Sequence, residues 1–508
     1  MVTIEAVIEI GSTSIRLLVC EVDSQGTWKT VDSAELTVSL GWDIFTTGLI
    51  SKESFSESKS IFEVFKEKLT SWGIEPFKVK TIATSALREA KNLDAFFDRI
   101  LLKTGFPVSL IDEVEEMRLI YLAGLNVLQK EAPEKKDINS IILDVGGCAT
   151  DVIVLEKGKI SAAHNFRLGT IITDQYIKSI GGTQSDTKRY LEECVKKTGG
   201  SLNIGMKIQK TSQLITMDVN AWILVKQIGT LIDKKTATIT RDAFLDFIDQ
   251  LKGLSYEEIC AKFQLKYIAS RSFPLKLLIY KMFLELTEAE TILVLDTSVR
   301  EGLFVSKFTK DQSFKKNINS QIVASAIALG RKYCFDEKHA KYVRDLALKI
   351  YDTITASTLV SPNAKLFLEV ACLLHDIGFF INGKEHEMHS YYILSNSNIF
   401  GLDKLSLKII SLTVQFHNEA IRIEENKDFL VLPRRERMGI LKLTAILRIA
   451  NAVDRSQTQR TGDIKLSLQD NTLSLITEEI NDINLEKKAI ANASNFFETI
   501  FGYNVILR

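Results

Sequence analysis

The chain has 508 residues, enough for two to four domains of ordinary size. Its hydrophobic content of 45% and charged content of 25% are typical of globular proteins, and no run approaches the roughly 18 apolar residues of a membrane-spanning helix. The 64 basic and 64 acidic side chains give a net charge of +0, so no global positive field collects polyanions. Composition therefore predicts a soluble protein whose partners include neither a membrane nor duplex nucleic acid.

The cysteines and the distribution of charge add two expectations. Six cysteines are scattered without a CxxC pair, and the N-terminus lacks a charged segment followed by an apolar one, which predicts a reduced, cytoplasmic protein. Residues 1–125 carry a net charge of −6, residues 126–310 carry +4, and residues 311–508 carry +2. A cleft between the first two segments could therefore hold a cation on one wall and an anion on the other.

Two similar hairpins are predicted in the first part of the chain. Residues 3–22 alternate apolar and small polar residues and break at Gly11-Ser12, which indicates two strands joined by a tight turn. Residues 140–155 repeat this pattern with an acidic residue, a Gly-Gly turn and a second β-branched strand. The repeat indicates two related lobes that face one another, with helical segments such as 54–69 and 186–197 covering the sheets.

The second part of the chain has a different pattern. From about Gln321 onward, apolar residues recur at helical spacing in long segments, which predicts a separate all-helical domain. From Asp463 the pattern alternates, with Asp470-Asn471 at a turn, and a helix and a closing strand follow. This tail is predicted to form a small α+β cap.

The two hairpin turns have the composition that phosphate binding needs. Glycine lets the backbone approach an anion closely, and successive N–H groups and short hydroxyls form a concavity lined by donors. One such turn is weak support, because Gly and Ser also simply make hairpins, but each of these follows a carboxylate, Glu9 or Asp144. Carboxylates there would hold Mg²⁺, which prefers oxygen ligands. The candidate phosphate-binding residues are Gly11, Ser12, Thr13, Ser14, Gly146, Gly147 and Cys148.

Two further segments offer a cation and a base. Residues 81–92 are predicted to form a strand end, a Thr/Ser N-cap and a helix with Arg88 in its opening turns. Arg88 is either an ordinary solvated residue or a phosphate ligand near a helix N-terminus. Residues 111–121 place four carboxylates before an apolar helix. Most suit a solvated helix start, and one facing a phosphate pocket could act as a general base toward water.

Five motifs together resemble the Ppx/GppA family of exopolyphosphatases and guanosine pentaphosphate phosphohydrolases, within the actin, hexokinase and sugar-kinase superfamily. The resemblance covers essentially the whole chain, and the order of the motifs is far more specific than any one of them. They are EIGSTS (residues 9–14), ATSALR (83–88), IDEVEEMRLI (111–120), DVGGCATD (144–151) and REG (300–302).

The resemblance implies an α/β fold of two RNase H-like lobes, at residues 1–125 and 126–310. An all-α HD-like domain at 311–460 and a small α+β C-terminal domain at 461–508 would follow. It implies in-line attack of water on a terminal phosphoryl group, with Glu116 activating the water and Arg88 holding a phosphate. Asp144 would be the acid on the metal side, with Glu9 and Asp151 as further ligands of Mg²⁺, or of Mn²⁺ as the alternative ion. It also implies a homodimer.

Three departures from the family pattern bear on activity. Glu9 stands where the family usually has Asp, Cys148-Ala149 replaces Gly-Ser, and Asp151 replaces Glu. The second change removes a hydroxyl and adds a Cβ where the backbone should approach phosphate, and the third shortens the side chain by roughly 1.5 Å. Displacing a catalytic group by about 1 Å can cost orders of magnitude in rate, so weak or altered activity is expected as one outcome.

The helical domain has a motif of its own. Five of the six histidines lie between His339 and His417. His339, the pair His375-Asp376 and Asp454 follow the H…HD…D order of HD-domain metal-dependent phosphohydrolases, with further histidines (His386, His389 and His417) nearby. Imidazole and carboxylate together suit a transition metal or a mixed Mg/Mn site. The alternative is that these histidines are structural, since the fold often persists without hydrolysis.

Four functions are consistent with this reading. The first is an exopolyphosphatase that releases phosphate from the end of inorganic polyphosphate. The second acts on pppGpp and makes ppGpp, and the third is a weakly active sensor that binds polyphosphate or the guanosine penta- and tetraphosphates. In the fourth, the working phosphohydrolase is the HD-like domain.

Overall fold

The computed structural model describes residues 2–181, 208–217, 221–265, 267–355, 363–478 and 482–508, together with residues 186, 189–191, 193 and 194. The chain divides into two compact units, residues 1–315 and residues 316–508. The first unit contains two sheets and the second contains a three-stranded sheet among helices. Among the described residues, no helix is both long enough and apolar enough to cross a membrane.

The first sheet has five strands in the order β3-β2-β1-β4-β5. β1 pairs antiparallel with β2 and parallel with β4, so the predicted N-terminal hairpin is confirmed. The apolar residues of β1 and β2 are buried on both faces of the sheet. The strands are β1 (Thr3–Ile10), β2 (Ser14–Val22), β3 (Trp28–Thr37), β4 (Lys80–Ala83) and β5 (Val108–Leu110).

The second sheet has seven strands in the order β10-β11-β12-β9-β6-β7-β8. β6 pairs antiparallel with β7 and parallel with β9, which confirms the second predicted hairpin. The strands are β6 (Ser140–Val145), β7 (Thr150–Glu156), β8 (Lys159–Phe166), β9 (Gln213–Thr216), β10 (Thr230–Asp233), β11 (Thr236–Thr240) and β12 (Thr291–Leu295).

The two sheets share one topology. In each, three consecutive antiparallel strands place the first strand inside the sheet, where it pairs in parallel with a strand reached by a helical crossover. The end of that first strand and its turn therefore occupy equivalent places in the two halves. This repeat confirms the two related lobes that the hairpins predicted, and it is the actin- and sugar-kinase-like arrangement that the family resemblance implies.

Ten helices with described bounds cover the sheets of this unit. Helix α4 carries buried residues along nearly its whole length, and α10 packs against it at Gly302, where an added Cβ would lie 2.1 Å from the carbonyl oxygen of Leu119. The helices are α1 (Leu40–Thr47), α2 (Lys52–Ser71), α3 (Leu93–Thr104), α4 (Glu113–Glu131), α5 (Thr170–Ser179), α6 (Ala221–Ile228), α7 (Arg241–Gln250), α8 (Tyr256–Phe263), α9 (Tyr267–Glu285) and α10 (Val299–Phe308).

One segment predicted to be an α-helix is a 3-10 turn, and another predicted helix lies partly outside the described residues. Arg88 does not open an α-helix: it lies in a short 3-10 turn, Ser85–Glu89, and the next α-helix begins at Leu93. Thr84 precedes the turn without a side-chain capping hydrogen bond, so the segment is too short and uncapped to continue as a helix. The predicted helical segment 186–197 lies partly outside the described residues.

The second unit is mainly helical, as predicted. Its tail forms the predicted hairpin, helix and closing strand, and both residues of the turn, Asp470 and Asn471, have positive φ. The elements are α11 (Gln312–Lys332), α12 (Glu337–Thr355), α13 (Ala364–Leu374), α14 (His386–Ser395), α15 (Lys404–Gln415), α16 (Lys427–Leu430), α17 (Arg434–Val453), β13 (Ile464–Gln469), β14 (Thr472–Thr477), α18 (Asn484–Phe501) and β15 (Asn504–Leu507). The four-part division of the chain stays a prediction.

Candidate functional site

The two hairpin turns that were predicted to bind phosphate lie against each other in the first unit. A Cβ added to Gly147 would lie 2.5 Å from the Oγ of Ser12, so this contact requires glycine. The N–H of Gly11 donates to the carbonyl of Ser14, and that of Gly146 donates to the carbonyl of Ala149, each at 2.9 Å. These two N–H groups therefore close the turns themselves and leave ligand contacts to their neighbours.

Helix α5 fixes the second turn from behind. The N–H of Thr170 donates to the carbonyl of Gly146 at 3.1 Å, and that of Ile171 donates to the carbonyl of Gly147 at 2.7 Å. A Cβ on Gly169 would lie 2.4 Å from the Cys148 nitrogen, so glycine is needed where the chain enters the helix. The first N–H groups of the helix therefore donate to the turn and hold it in position.

A cavity of about 130 Å³ opens between these turns and helices α4, α9 and α10. Its lining is mostly polar, and it brings together most of the residues predicted from the two hairpins and from the acidic helix. The predicted residues on its wall are Glu9, Gly11, Ser12, Thr13, Ser14, Glu116, Asp144, Gly146 and Gly147.

Glu116 is the buried acid of the cavity. Its side chain accepts a hydrogen bond of 3.0 Å from Arg88, whose same nitrogen also donates to the carbonyl of Ile111 at 3.0 Å. Burial and, to a smaller extent, the nearby Asp144 raise the pKa of Glu116 to about 7, against the opposing effect of Arg88. A carboxyl group with this pKa can exchange a proton near neutral pH.

Glu9 lies at the end of β1 between two arginines. Its cross-strand partner is Arg16, whose Nη1 lies 3.6 Å from Oε1, and Arg300 Nε lies 3.7 Å from Oε2. Within the described part of the chain, the buried Oε2 accepts no hydrogen bond. Arg300 also donates to the carbonyl of Leu17 at 3.3 Å, so α10 is anchored to the first sheet beside this carboxylate.

Asp144 and Asp151 are directly opposite one another on β6 and β7, which places both side chains on the same face of the sheet. Asp144 lines the cavity. Asp151 is buried and accepts a hydrogen bond of 2.7 Å from Asn165. Burial raises the pKa of Asp151, Glu116 raises it further, and the bond from Asn165 opposes the shift.

Cys148, unlike the other predicted phosphate-binding residues, is not on the cavity wall. Its side chain is buried in the apolar core of the first lobe, and burial raises the pKa of the thiol well above its usual range. An apolar environment suits a protonated thiol. In this turn, Cys148 therefore contributes packing through its side chain.

Sequence reasoning missed three cations near the cavity. Arg16 is recoverable in principle, because a tight turn at residues 11–14 sets residue 16 opposite Glu9. Arg300 lies within the REG motif, although its contact with Glu9 depends on the packing of α10. Lys276, a buried residue in the middle of α9, also lines the cavity, and no local pattern marks it.

The second unit brings the predicted HD-type residues together. His339 Nε2 lies 3.7 Å from Asp376 Oδ2, and His375 Nε2 lies 3.4 Å from Asp376 Oδ1. Asp454 is placed behind His339, where its Oδ2 accepts a hydrogen bond of 2.8 Å from Nδ1. His389 lies on helix α14 close to this group in sequence but outside its contacts.

Comparison with known proteins is consistent with this architecture. The family model described as the Ppx/GppA phosphatase family matches residues 18–311, and the model for Ppx/GppA phosphatase domain III matches residues 323–494. A guanosine-5'-triphosphate,3'-diphosphate pyrophosphatase of Vibrio atlanticus is 22% identical over 478 residues, covering 92% of this chain and 91% of that protein. The enzyme of the same name from Aeromonas hydrophila is 22% identical over 480 residues, 90% and 88% of the two chains.

A solved structure supports the fold over more than half of the chain. The exopolyphosphatase from Cytophaga hutchinsonii superposes with a TM-score of 0.53 at 20% identity, and the match covers 60% of this chain and 98% of that one. The fold and the paired glycine turns define a two-lobed protein of the actin- and sugar-kinase-like class. Because the family model spans more than half of the chain, the protein belongs to the Ppx/GppA phosphatase family. The predicted phosphoanhydride-hydrolase class is thereby confirmed at the level of the family.

Proposed function

We propose that the cavity of the first unit hydrolyses the terminal phosphoryl group of a phosphoanhydride chain, with inorganic polyphosphate as the substrate. The observation that carries this proposal is Glu116, a carboxyl group that is 6% exposed, has a pKa of about 7 and lies on the same cavity wall as the two glycine turns. A base of this kind next to a cradle for anions is what water attack on phosphorus requires.

Glu116 would take the proton of the attacking water. Its hydrogen bond with Arg88 fixes the orientation of the carboxylate, and the second bond of Arg88 to the carbonyl of Ile111 fixes the arginine. One nitrogen of Arg88 thus holds the proposed base, Glu116, in place. Its proposed phosphate contact would use the rest of the guanidinium, which carries five N–H donors.

The phosphate chain would be held by the two turns and the cations near the cavity. The hydroxyls of Ser12 and Thr13 line the cavity, and so do Arg16 and Lys276. The transition state of phosphoryl transfer spreads charge over the equatorial oxygens, and donors already in place stabilise that charge without reorganisation. These residues supply such donors.

A divalent cation fits the carboxylates at the ends of β1 and β6. Glu9 presents a buried oxygen that accepts no hydrogen bond from the described residues, and Asp144 lies on the cavity wall. Mg²⁺ is commonly bound by one or two carboxylates together with phosphate oxygens, so Glu9 and Asp144 would hold it, with Mn²⁺ as the alternative. When bound, the ion would neutralise negative charge on the reacting phosphate. Asp151 accepts a hydrogen bond from Asn165, so it suits a position that supports the site better than the role of a direct metal ligand.

The departures from the family pattern bear on the rate. Ala149 contributes its carbonyl to the turn, Cys148 packs in the core, and Asp151 has Asn165 as its hydrogen-bond partner. The turn is thus closed and supported despite these changes, which favours turnover over a purely sensory role.

Guanosine pentaphosphate is the second candidate substrate. The specific observation in its favour is that the relatives matching nine-tenths of this chain are named guanosine-5'-triphosphate,3'-diphosphate pyrophosphatases. Both substrates end in the same phosphoanhydride, so one mechanism serves both.

The test measures phosphate release from long-chain polyphosphate and from pppGpp, with Mg²⁺ and after chelation. Wild type should release phosphate only with the metal, and the Glu116→Gln variant should be slower by about 10²–10⁴-fold, the usual contribution of a general base. Glu113→Gln, on the first turn of the same helix, is the matched control and should retain wild-type rates.

Three results would contradict the proposal. Unchanged turnover in Glu116→Gln would show that Glu116 is not the general base. Unchanged turnover after chelation would show that the reaction needs no divalent cation. Tight binding of both substrates without any phosphate release would identify the sensor instead.

A further inference from the structure

Four imidazole rings of the second unit surround the carboxylate of Asp376. The Nε2 atoms of His375 and His386 each lie 3.4 Å from its Oδ1, and that of His417 lies 3.7 Å from the same oxygen. The Nε2 of His339 approaches the other oxygen at 3.7 Å. All four rings therefore present the same nitrogen to one carboxylate.

The opposite nitrogen of each ring faces an acceptor. Nδ1 of His375 lies 2.8 Å from the carbonyl of Cys372, and Nδ1 of His417 lies 2.6 Å from that of Val414. Since a carbonyl oxygen only accepts, the proton of each neutral ring is on Nδ1 and the Nε2 lone pair is bare. This arrangement is the usual outer support of metal-binding histidines.

The other two rings are fixed in the same way. Asp454 accepts from Nδ1 of His339 at 2.8 Å, and the carbonyl of Gly383 lies 3.3 Å from Nδ1 of His386. Asp454 is in turn held by Gln459, whose backbone and side-chain nitrogens both donate to it at 2.7 Å. Asp454 is thus a positioning residue that directs the His339 ring.

The inward nitrogens are left in an electrostatically unfavourable arrangement without a cation. Nε2 of His339 and Nε2 of His375 are buried and have no hydrogen-bond partner among the described residues. The Nε2 atoms of His386 and His417 face each other at 3.2 Å, a distance at which two unprotonated nitrogens repel. Buried acceptors that face one another and a carboxylate are stabilised when positive charge lies between them.

We propose that the second unit holds a dinuclear metal centre in which Asp376 bridges two ions. His339, His375 and Asp376 form one set of ligand atoms that lie within 4.8 Å of one another, and Asp376, His386 and His417 form the other. Two ions that share a carboxylate lie about 3.5–4 Å apart in known two-metal sites. Three imidazole or carboxylate ligands per ion leave coordination positions for water or a substrate oxygen.

The fold places these ligands at the ends of helices. His375 and Asp376 follow the last turn of α13, and His386 begins α14. A Cβ added to Gly378 would lie 2.0 Å from the carbonyl of His386, and the N–H of Gly378 donates to Ser390 at 2.8 Å. The close approach at Gly378 therefore brings His386 onto the carboxylate.

The ligand set selects the class of metal. Four imidazoles and one carboxylate suit Mn, Fe, Co, Ni or Zn, whereas Mg²⁺ prefers oxygen ligands. The centre is thus chemically distinct from the carboxylate site in the first unit, and it does not depend on the function proposed there.

A cavity of about 210 Å³ adjoins the second ion position. Its wall includes His386 and His417 together with the cations Arg448 and Arg455, and Glu419 lies on the same wall. Three asparagines, Asn418, Asn451 and Asn492, complete its polar lining. Metal ions and guanidinium groups on one cavity wall are suited to a phosphate group. The ligand class that fits the centre is therefore a phosphate-bearing small molecule.

The two arginines have different roles in this cavity. Arg448 is buried and donates to the carbonyl of Phe416 at 2.8 Å and to that of Asn418 at 3.2 Å. It thereby holds the segment that carries His417. Arg455 is exposed and supplies a cation that reaches a ligand without supporting the fold.

The metal stoichiometry tests the centre. The full chain, stripped of metal and kept in excess Mg²⁺ to saturate oxygen-ligand sites, is titrated with Co²⁺ and followed by absorption and by metal analysis. Wild type should bind two Co²⁺ per chain, His375→Ala and His386→Ala should each bind one, and Asp376→Asn should bind none tightly. His389→Ala, on the same helix as His386, should still bind two.

Either of two results would overturn the dinuclear centre. Wild type would bind no more than one Co²⁺, or His386→Ala would bind as many ions as wild type. Circular dichroism of each variant shows whether it is folded, and His386, at the partly exposed start of α14, keeps the test valid if Asp376→Asn does not fold.

The phosphate ligand is tested through the Co²⁺ spectrum of the same site. Inorganic phosphate or GMP should shift the absorption of the Co²⁺-loaded protein, and Arg455→Ala should weaken that effect at least about fivefold while Arg435→Ala leaves it unchanged. Tighter binding of GMP identifies a nucleotide as the source of the phosphate, and equal affinities identify free phosphate. A spectrum that neither compound changes would overturn this part of the proposal.

Discussion

Replacing Glu116 with glutamine should stabilise the first unit at alkaline pH while it removes activity. Burial raises the pKa of this carboxyl group from 4.5 to about 7 in the folded protein. Each unit of pKa difference corresponds to about 1.4 kcal/mol, so ionised Glu116 costs the folded state about 3 kcal/mol relative to a neutral side chain. Glutamine has nearly the same shape and no charge.

The sign of the pH dependence follows from the raised pKa. Below the unfolded-state value of 4.5, the carboxyl group is protonated in both states and the two proteins should have equal stability. As pH rises from 4.5 to about 7, the unfolded state loses this proton while the folded state keeps it, so wild type loses stability progressively and the variant does not; above about 7 the difference is constant. The advantage of Glu116→Gln should therefore be about 2 kcal/mol larger at about pH 8 than at about pH 5.

Urea unfolding of both proteins at the two pH values measures this difference, with Glu113→Gln as the control for a carboxylate near the same helix terminus. Thermal melts should show an increase of several degrees for Glu116→Gln at the higher pH alone. An advantage of the same size at both pH values would refute the reasoning, because it would show that the charge of Glu116 does not oppose folding. The same pKa predicts that kcat/KM falls as the pH drops below about 7, since the protonated form cannot accept the proton of water.

Two further predictions concern packing and burial. Gly302→Ala should lower the free energy of unfolding by about 1–3 kcal/mol, because the added Cβ meets the carbonyl of Leu119 at 2.1 Å. The control Gly439→Ala, inside a helix with no described atom within 4 Å of the new Cβ, should raise the free energy of unfolding by about 0.5–1 kcal/mol. Equal effects of the two substitutions in denaturant titrations would contradict the helix contact. Alkylation of the native protein should label the exposed Cys334 first and leave Cys148 and Cys372 unreacted until denaturant is added, because burial raises the pKa of both buried thiols. Early labelling of Cys148, detected by peptide mass spectrometry, would place its side chain outside the core.

Much of the fold was predictable because the information is local. The alternation of apolar residues and the glycine turns predict both hairpins of the first unit, and helical spacing predicts the second unit. Arg88 shows the limit of this approach. A Thr-Ser pair before a run of helix-forming residues favours an α-helix, but the chain makes only a 3-10 turn there, which directs the arginine onto Glu116.

The candidate site was predictable where a motif carries the chemistry. The five motifs identify the acids and turns of the first unit, and their order led to the family that the comparison confirms. Lys276 and the contact of Arg300 with Glu9 could not be predicted, since both depend on how helices α9 and α10 pack against distant strands. The same holds for His386 and His417, whose distances to Asp376 no spacing in the sequence specifies.

The sequence by itself therefore determined the fold class, the paired turns and the types of side chain available for phosphate and metal chemistry. The tertiary structure decided what those side chains can do. Burial brings the pKa of Glu116 to about 7, core packing buries the side chain of Cys148, and four imidazoles converge on one aspartate. The physical reason is that hydrophobic periodicity and turn chemistry act between neighbours in the chain, whereas desolvation and charge pairing depend on residues far apart in sequence.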